Sequence, residues 1–287
     1  MLSDEGLRIA VPSKGRLRDP AVELLRGAGL RFRISGRRLF SVCSETGTRI
    51  IFSNAQDIPV LVAEGVVDLG VTGSDQVEEK SADVTLHRRL GYGRCRLSVA
   101  VHKDAPYRSP ADLAGKVVGA KLVNLARAYF ERIGARDVHV LEIQGALEVM
   151  VLLGLVDAIV EIVETGNSLV ENDLVELDHV LDAEAVLIGA PRCRDEGGRD
   201  QLLRRIDGVL VAARYSLLEY NCPVERIEEA TRVAPGHSSP TVQHLQDERW
   251  LAVKVLVERE RVHRVMDELE KLGCAAILET GLRHTRL

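Results

Sequence analysis

No stretch of this chain approaches the roughly 18–20 uninterrupted apolar residues that a membrane-spanning helix requires, so no membrane partner is expected. The opening Met1-Leu2-Ser3-Asp4-Glu5-Gly6 lacks the basic-then-apolar order of a secretory leader, and the expected compartment is the cytoplasm. Cysteines are few: Cys43, Cys95, Cys193, Cys222 and Cys274 are odd in number, widely spread and never spaced C-x-x-C, which argues against a disulfide framework and a zinc site. They read as reduced, mostly buried small hydrophobes. The histidines, His87, His102, His139, His179, His237, His244, His263 and His284, show no paired metal-ligand spacing and read as surface or structural imidazoles. A basic stripe is also missing. The 38 Lys and Arg are interleaved with 43 Asp and Glu for a net charge of -5, so nucleic acid is not an expected partner.

What is present is enough apolar material, 46% of 287 residues, to build a sizeable core divided among more than one domain. The run Leu7 to Val11 reads as a strand, Pro12-Ser13-Lys14-Gly15-Arg16 as a polar loop, and the segment from Asp19 to Gly27 as an amphipathic helix. A related unit follows: helical spacing at Ile58, Leu61 and Val62, a break at Gly65, a buried strand over Val66 to Val71, and a loop Thr72-Gly73-Ser74-Asp75. From Cys95 a second α/β pattern begins. Its strands are expected at Leu97 to Val101, Lys116 to Ala120, Val138 to Ile143 and Asp157 to Val163, with a capped turn at Ser109 to Leu113 and helices at Leu125 to Ile133 and Ala146 to Leu153. Such alternation favours largely parallel sheets with ligands at the carboxyl ends of their strands.

After Pro191 the composition turns polar, and a new pattern starts near Ile206. It reads strand (Val209 to Ala213), helix (Val224 to Thr231), strands (Thr241 to Leu245 and Leu251 to Val257), helix (Val262 to Leu272) and strand (Ala275 to Leu278). This βαββαβ order is ferredoxin-like and suits a small ligand-sensing or dimerising module.

The stretch most suggestive of chemistry is Asp157-Ala158-Ile159-Val160-Glu161-Ile162-Val163-Glu164-Thr165-Gly166-Asn167-Ser168-Leu169. An apolar strand delivers carboxylates, then a Thr-Gly-x-Ser turn whose N–H groups and hydroxyls could converge on a phosphate while the acids hold a ribose diol. A strand leading into an N-capped helix fits the same residues.

Set beside Pro12-Ser13-Lys14-Gly15-Arg16-Leu17, Asp57-Ile58-Pro59, Gly65-Val66-Val67-Asp68-Leu69-Gly70-Val71-Thr72-Gly73, Gly145-Ala146-Leu147-Glu148 and Ser239-Pro240-Thr241, that stretch resembles the successive motifs of the ATP phosphoribosyltransferase family, essentially end to end. The likeness is to the long form. It implies an α/β fold with a two-lobed, periplasmic-binding-protein-like (type II) catalytic core and a C-terminal ferredoxin-like domain that binds histidine as a feedback inhibitor. On this reading residues 1–96 and 181–205 form the first lobe, 97–180 the second, and 206–287 the regulatory domain. The implied reaction joins adenine N1 of ATP to C1 of phosphoribosyl pyrophosphate with loss of pyrophosphate, needs Mg²⁺, and is carried out by a homo-oligomer, a dimer or a hexamer.

By motif, the resemblance implies that Glu161 and Glu164 face the ribose and the metal, with Asp157 on the same acid-bearing strand, and that Thr165, Gly166, Asn167 and Ser168 grip the 5-phosphate. Lys14 and Arg16 fall where cations would meet polyphosphate, and Gly73, Asp75 and Arg96 near the nucleotide. Because the chain is acidic as a whole, the site is expected to be locally positive. Ser13, Asn54, Lys121 and Val151 depart from the family pattern near the cleft. A paralogous phosphoribosyltransferase of a specialised purine-nucleoside pathway, free of histidine control, is therefore the alternative. A non-catalytic solute-binding or regulatory protein is a third possibility, on the shared two-lobed fold.

Overall fold

The computed structural model describes residues 6–34 and 39–286; residues 1–5, on which the leader reading rests, 35–38 and 287 lie outside them. The chain divides into two compact units, Met1–Glu23 with Arg31–Glu196, and Leu24–Leu30 with Gly197–Leu287.

In the first unit the chain runs β1 (Arg8–Pro12), α1 (Arg18–Gly27, whose second half belongs to the other unit), β2 (Phe40–Val42), β3 (Arg49–Ser53), α2 (Ile58–Ala63), β4 (Leu69–Gly73), α3 (Ser74–Glu79) and β5 (Thr85–Arg89). It crosses to a second sheet through β6 (Cys95–His102), β7 (Val117–Ala120), α4 (Val123–Arg132), β8 (His139–Glu142), α5 (Leu147–Leu152), β9 (Ala158–Val163), α6 (Asn167–Glu171) and β10 (Leu174–Ala183), and returns in β11 (Ala185–Gly189). The sheets have the orders β2-β3-β1-β4-β11-β5 and β10-β6-β9-β7-β8. This is the two-lobed core that the resemblance implies. The two crossings bond to each other, Leu90 N to Ala185 O and Ala185 N to Tyr92 O, both at 2.9 Å.

The sheets are mixed rather than largely parallel. Parallel pairing is confined to β3-β1-β4 and to β9-β7-β8, while β2, β5, β6, β10 and β11 pair antiparallel with their neighbours. β2, β3, β5, β10 and β11 are additional to the expected strands. β11 is a continuous buried run (Ala-Val-Leu-Ile-Gly), a pattern that periodicity does not separate from a helix segment. At Gly70 in β4 a side chain is excluded by packing: a Cβ there would lie 2.6 Å from Ile58 Cγ2 and 2.8 Å from Val62 Cγ2, so α2 rests directly on the strand.

In the second unit the expected strand at 209–213 is instead the end of a long helix, α7 (Glu196–Arg214). The apolar run Val209 to Ala213 continues the buried helical set Leu202, Leu203, Ile206 and Ala212, so the longer period prevails. The first strand of the βαββαβ unit is β12 (Tyr215–Pro223), where Ser216, Leu218, Tyr220 and Cys222 are buried in strict alternation. Then follow α8 (Ile227–Val233), β13 (Thr241–His244), β14 (Trp250–Glu258), α9 (Val262–Lys271) and β15 (Ala275–Gly281), in the antiparallel sheet β13-β14-β12-β15. This is the ferredoxin-like arrangement. Among the described residues no helix is long and apolar enough to cross a membrane.

Asp68, 1% exposed, holds the first sheet together where three segments meet. It accepts hydrogen bonds from Arg8 N at 2.8 Å, and from Arg194 N and Nη1 at 3.1 Å each. Removing one partner of a buried pair leaves the others desolvated without compensation. Asp68→Ala is therefore expected to lower the unfolding free energy in urea by about 3 kcal/mol; a loss below about 0.5 kcal/mol would show the cluster to be dispensable.

Candidate functional site

Because β7 and β9 are parallel neighbours, their carboxyl ends deliver successive loops to the same edge of the second sheet, where open α/β sheets bind ligands. Glu161 lies near the end of β9 and is 9% exposed. Its Oε2 accepts from Lys121 Nζ at 2.8 Å, the first residue beyond β7, and its Oε1 accepts from Ile162 N at 3.0 Å. The turn that follows β9 is opened by Gly166 at φ +85°. Thr165 Oγ1 accepts from Asn167 N at 3.5 Å, and Ser168 Oγ donates to Glu148 Oε1 at 2.6 Å in the first turn of α5. Burial works to raise the Glu148 carboxyl, but the Ser168 hydroxyl and the charge of Lys121 outweigh it and hold it below its ordinary value. Lys121, Glu148, Glu161 and Ser168 thus form one connected cluster.

From the first sheet, the loop after β1 is pinned by Ser13 N donating to Ser53 O at 2.7 Å. Lys14 is exposed. The Arg16 guanidinium donates to Glu164 in the turn after β9, and its Nη2 approaches Cys95 Sγ at 2.8 Å. Burial opposes the Arg16 charge, yet the bond to Glu164 and the neighbouring thiol leave it raised. Burial pushes the Cys95 thiol up, with the charges of Asp75 and Glu164 adding to the effect. Asp75 is 4% exposed, and its Oδ2 accepts from Gln76 Nε2 at 2.7 Å. A Cβ at Gly73 would stand 2.0 Å from Asp75 Oδ1, so a side chain there would displace the Asp75 carboxylate.

Arg96, in β6, is bidentate on Glu176, with Nε to Oε2 at 2.8 Å; Ser98 Oγ adds a bond to Oε2 at 2.8 Å. Glu176 is depressed, chiefly by the Arg96 hydrogen bond. A Cβ at Gly166 would lie 3.7 Å from Arg96 Nη2, which puts this pair against the turn.

The structure therefore brings together Arg16, Arg96, Glu161, Glu164, Thr165, Gly166, Asn167 and Ser168, with Gly73 and Asp75 bordering them through Cys95. Asp157 does not join them. It precedes β9 at the opposite end of the strand, where it accepts from Tyr107 OH at 2.7 Å and Val117 N at 3.0 Å. Its hydrogen bond pushes Tyr107 up to about 12. Asp157 ties the starts of β7 and β9 and does not belong to the cluster.

Lys121, Glu148 and Glu176 were not among the expected site residues. Glu148 lay in a quoted motif without a role and Lys121 at a departure from the family pattern, while Glu176 carried no sequence signal. The site is not locally positive either. Glu148, Glu161, Glu164, Glu176 and Asp75 outnumber Lys14, Arg16, Arg96 and Lys121, and three of those cations are already paired with acids. Among the described residues no group of three or more His, Cys, Asp or Glu could hold a metal ion.

Comparison with known proteins gives one consistent outcome. The family model "HisG: ATP phosphoribosyltransferase" matches residues 54–208, and "HisG, C-terminal domain" matches 212–284. The ATP phosphoribosyltransferase of Rhodopirellula baltica is 41% identical over 99% of this chain and 95% of its own, and that of Candida glabrata 36% identical over 99% and 98%. A solved chain of the ATP phosphoribosyl transferase (HisG:HisZ) complex from Thermotoga maritima superposes with a TM-score of 0.61 at 25% identity, covering 71% of this chain and 97% of that one.

The depressed Glu176 carboxylate contributes stability that is complete above its unfolded value of about 4.3 and is lost as the pH falls through its lower folded value. Glu176→Gln is expected to lower Tm at pH 7, with the gap to the wild type closing as the pH is taken from about 5 to 3. A gap independent of pH would contradict the assigned role of the Arg96–Glu176 pair.

Proposed function

The chain belongs to the ATP phosphoribosyltransferase family, and on that premise we propose that it joins adenine N1 of ATP to C1 of phosphoribosyl pyrophosphate, releasing pyrophosphate, in the first step of histidine biosynthesis. The observation that carries this at the level of residues is the cluster at the carboxyl end of β9, where a buried carboxylate, a cation and a Thr-Gly-Asn-Ser turn meet. In this reading the N–H groups and hydroxyls of Thr165 to Ser168 hold the 5-phosphate and Glu161 accepts from the ribose hydroxyls. Arg16 and Lys14 lie toward the pyrophosphate, and Gly73, Asp75 and Arg96 border the purine nucleotide.

The electron pair of adenine N1 forms the new bond to C1 as the pair of the old C1–O bond departs with pyrophosphate. N1 is unprotonated at neutral pH, so no base has to remove a proton for the bond to form. The chain's task is alignment of two polyanions and stabilisation of an oxocarbenium-like transition state. A binding phosphate would take Arg16 from Glu164, exchanging one charge-assisted bond for another.

Mg²⁺ fits this donor set as an ion shared with the substrate. It commonly takes one or two carboxylates and fills its remaining positions with phosphate oxygens and water. Glu161 and Glu164 are the carboxylates that would hold it, and the excess of acids over cations leaves room for its charge. When bound it would supply positive charge to offset the negative charge of the leaving pyrophosphate.

In the C-terminal unit a hollow on the sheet is lined by Glu219, Asn221, Thr241, Lys254 and Ala276, with Thr241 the last residue of the Ser239-Pro240-Thr241 motif. This supports histidine as a feedback inhibitor bound there. We place the protein in the cytoplasm as a homo-oligomer, a dimer or a hexamer.

With ATP, phosphoribosyl pyrophosphate, Mg²⁺ and a pyrophosphatase, the purified protein is expected to raise the absorbance of the N1-substituted adenine product, and millimolar histidine to suppress it. Product insensitive to histidine would favour the specialised paralogue, and no product with any purine nucleotide would overturn the reading. Arg16→Ala is expected to lower kcat/KM about 100-fold without loss of fold; unchanged kinetics would remove Arg16 from the site.

A further inference from the structure

The amino end of α4 has no cap of its own. Leu122 stands at the N-cap position and offers no side-chain oxygen to the first N–H groups of the helix. Those groups are satisfied from the other sheet of the unit. Glu79, the last residue of α3 and 7% exposed, accepts from Asn124 N through Oε1 at 3.1 Å and from Leu125 N through Oε2 at 3.0 Å. Asn124 Nδ2 returns a third bond to Glu79 O at 3.0 Å. A buried carboxylate accepting helix N–H bonds is a charge-assisted cap, and here the cap and the helix belong to different lobes.

The segment held this way starts at the site. Lys121, whose ammonium pairs with Glu161, immediately precedes Leu122. On α3 itself, Asp75 and Glu79 are four residues apart and share one face, so the short helix presents Asp75 beside Cys95 and Glu79 beneath α4. We infer that Glu79 is a positioning residue for the reaction: by capping α4 from the opposite lobe it fixes the 121–125 segment, and through it the Lys121–Glu161 pair. The inference rests on the proposed role of Glu161 in holding phosphoribosyl pyrophosphate.

Two measurements separate the failure of this inference from the failure of that role. Hydrogen exchange of the peptide spanning 121–125 needs no turnover. Glu79→Gln is expected to accelerate it, and an unchanged rate would overturn the clasp. In the assay, Glu79→Gln is expected to raise the KM for phosphoribosyl pyrophosphate about tenfold with kcat changed much less. Lys121→Met is expected to raise the same KM, and the double variant to rise no further than the larger single effect. A lower Tm with both kinetic constants intact, or single effects that multiply, would assign Glu79 to the fold alone. Should Glu79→Gln fail to fold, Asn124→Ala removes one bond from the other side and is expected to move the exchange rate and the KM in the same direction by about two- to threefold; no movement would equally overturn the inference. A wild-type protein with neither turnover nor binding of phosphoribosyl pyrophosphate would count against the proposed function, while the exchange experiment would still decide whether the clasp exists.

Discussion

Glu161 is 9% exposed, and a buried carboxylate needs a partner; it has one in Lys121 at 2.8 Å. The arrangement of the site follows from that pair. Lys121 reaches Glu161 because β7 and β9 are parallel neighbours in which Ala120, the last residue of β7, lies beside Val160, so that the next residues along the chain are Lys121 and Glu161. The turn at 164–168 and the first turn of α5 are joined by a hydrogen bond between Ser168 and Glu148. The Lys121–Glu161 pair makes the position of the 121–125 segment critical, and that segment is held by a carboxylate from the other lobe.

The electrostatics are those of a site charged with both signs and internally paired. Arg16 rests on Glu164, Arg96 on Glu176 and Lys121 on Glu161. Partly exposed pairs of this kind contribute little to stability; on the proposed reading their use is to hold cations where a phosphate would replace a carboxylate. Arg16 is the sharpest case, since it comes from the first sheet and its partner Glu164 from the second.

The parts of this architecture that were legible in the sequence are those encoded locally. The helix-period segments α4, α5 and α9 and the alternating strand β14 follow from side-chain spacing, and the turn at 165–168 from its Gly and hydroxyl residues. The strand at 215–223 is masked by the apolar run 209–213, which has no period of its own and takes its helical state from the pattern extending from Leu202. The mixed character of the sheets was illegible because strand direction depends on which distant segment pairs with which. At the site, the motif residues were readable as types. Their partners were not, because Lys121, Glu148, Glu176 and Glu79 acquire their roles only from contacts 20 to 80 residues away along the chain. Asp157 shows the opposite error: a place in the right motif put it at the wrong end of the strand.

The most direct test of the account is a crystal structure of the protein with phosphoribosyl pyrophosphate bound. The account predicts the 5-phosphate on the backbone and hydroxyls of residues 165–168, the ribose hydroxyls on Glu161, and Arg16 moved from Glu164 toward the pyrophosphate. A 5-phosphate seated elsewhere, with the 165–168 turn empty and the Arg16–Glu164 pair intact, would contradict it.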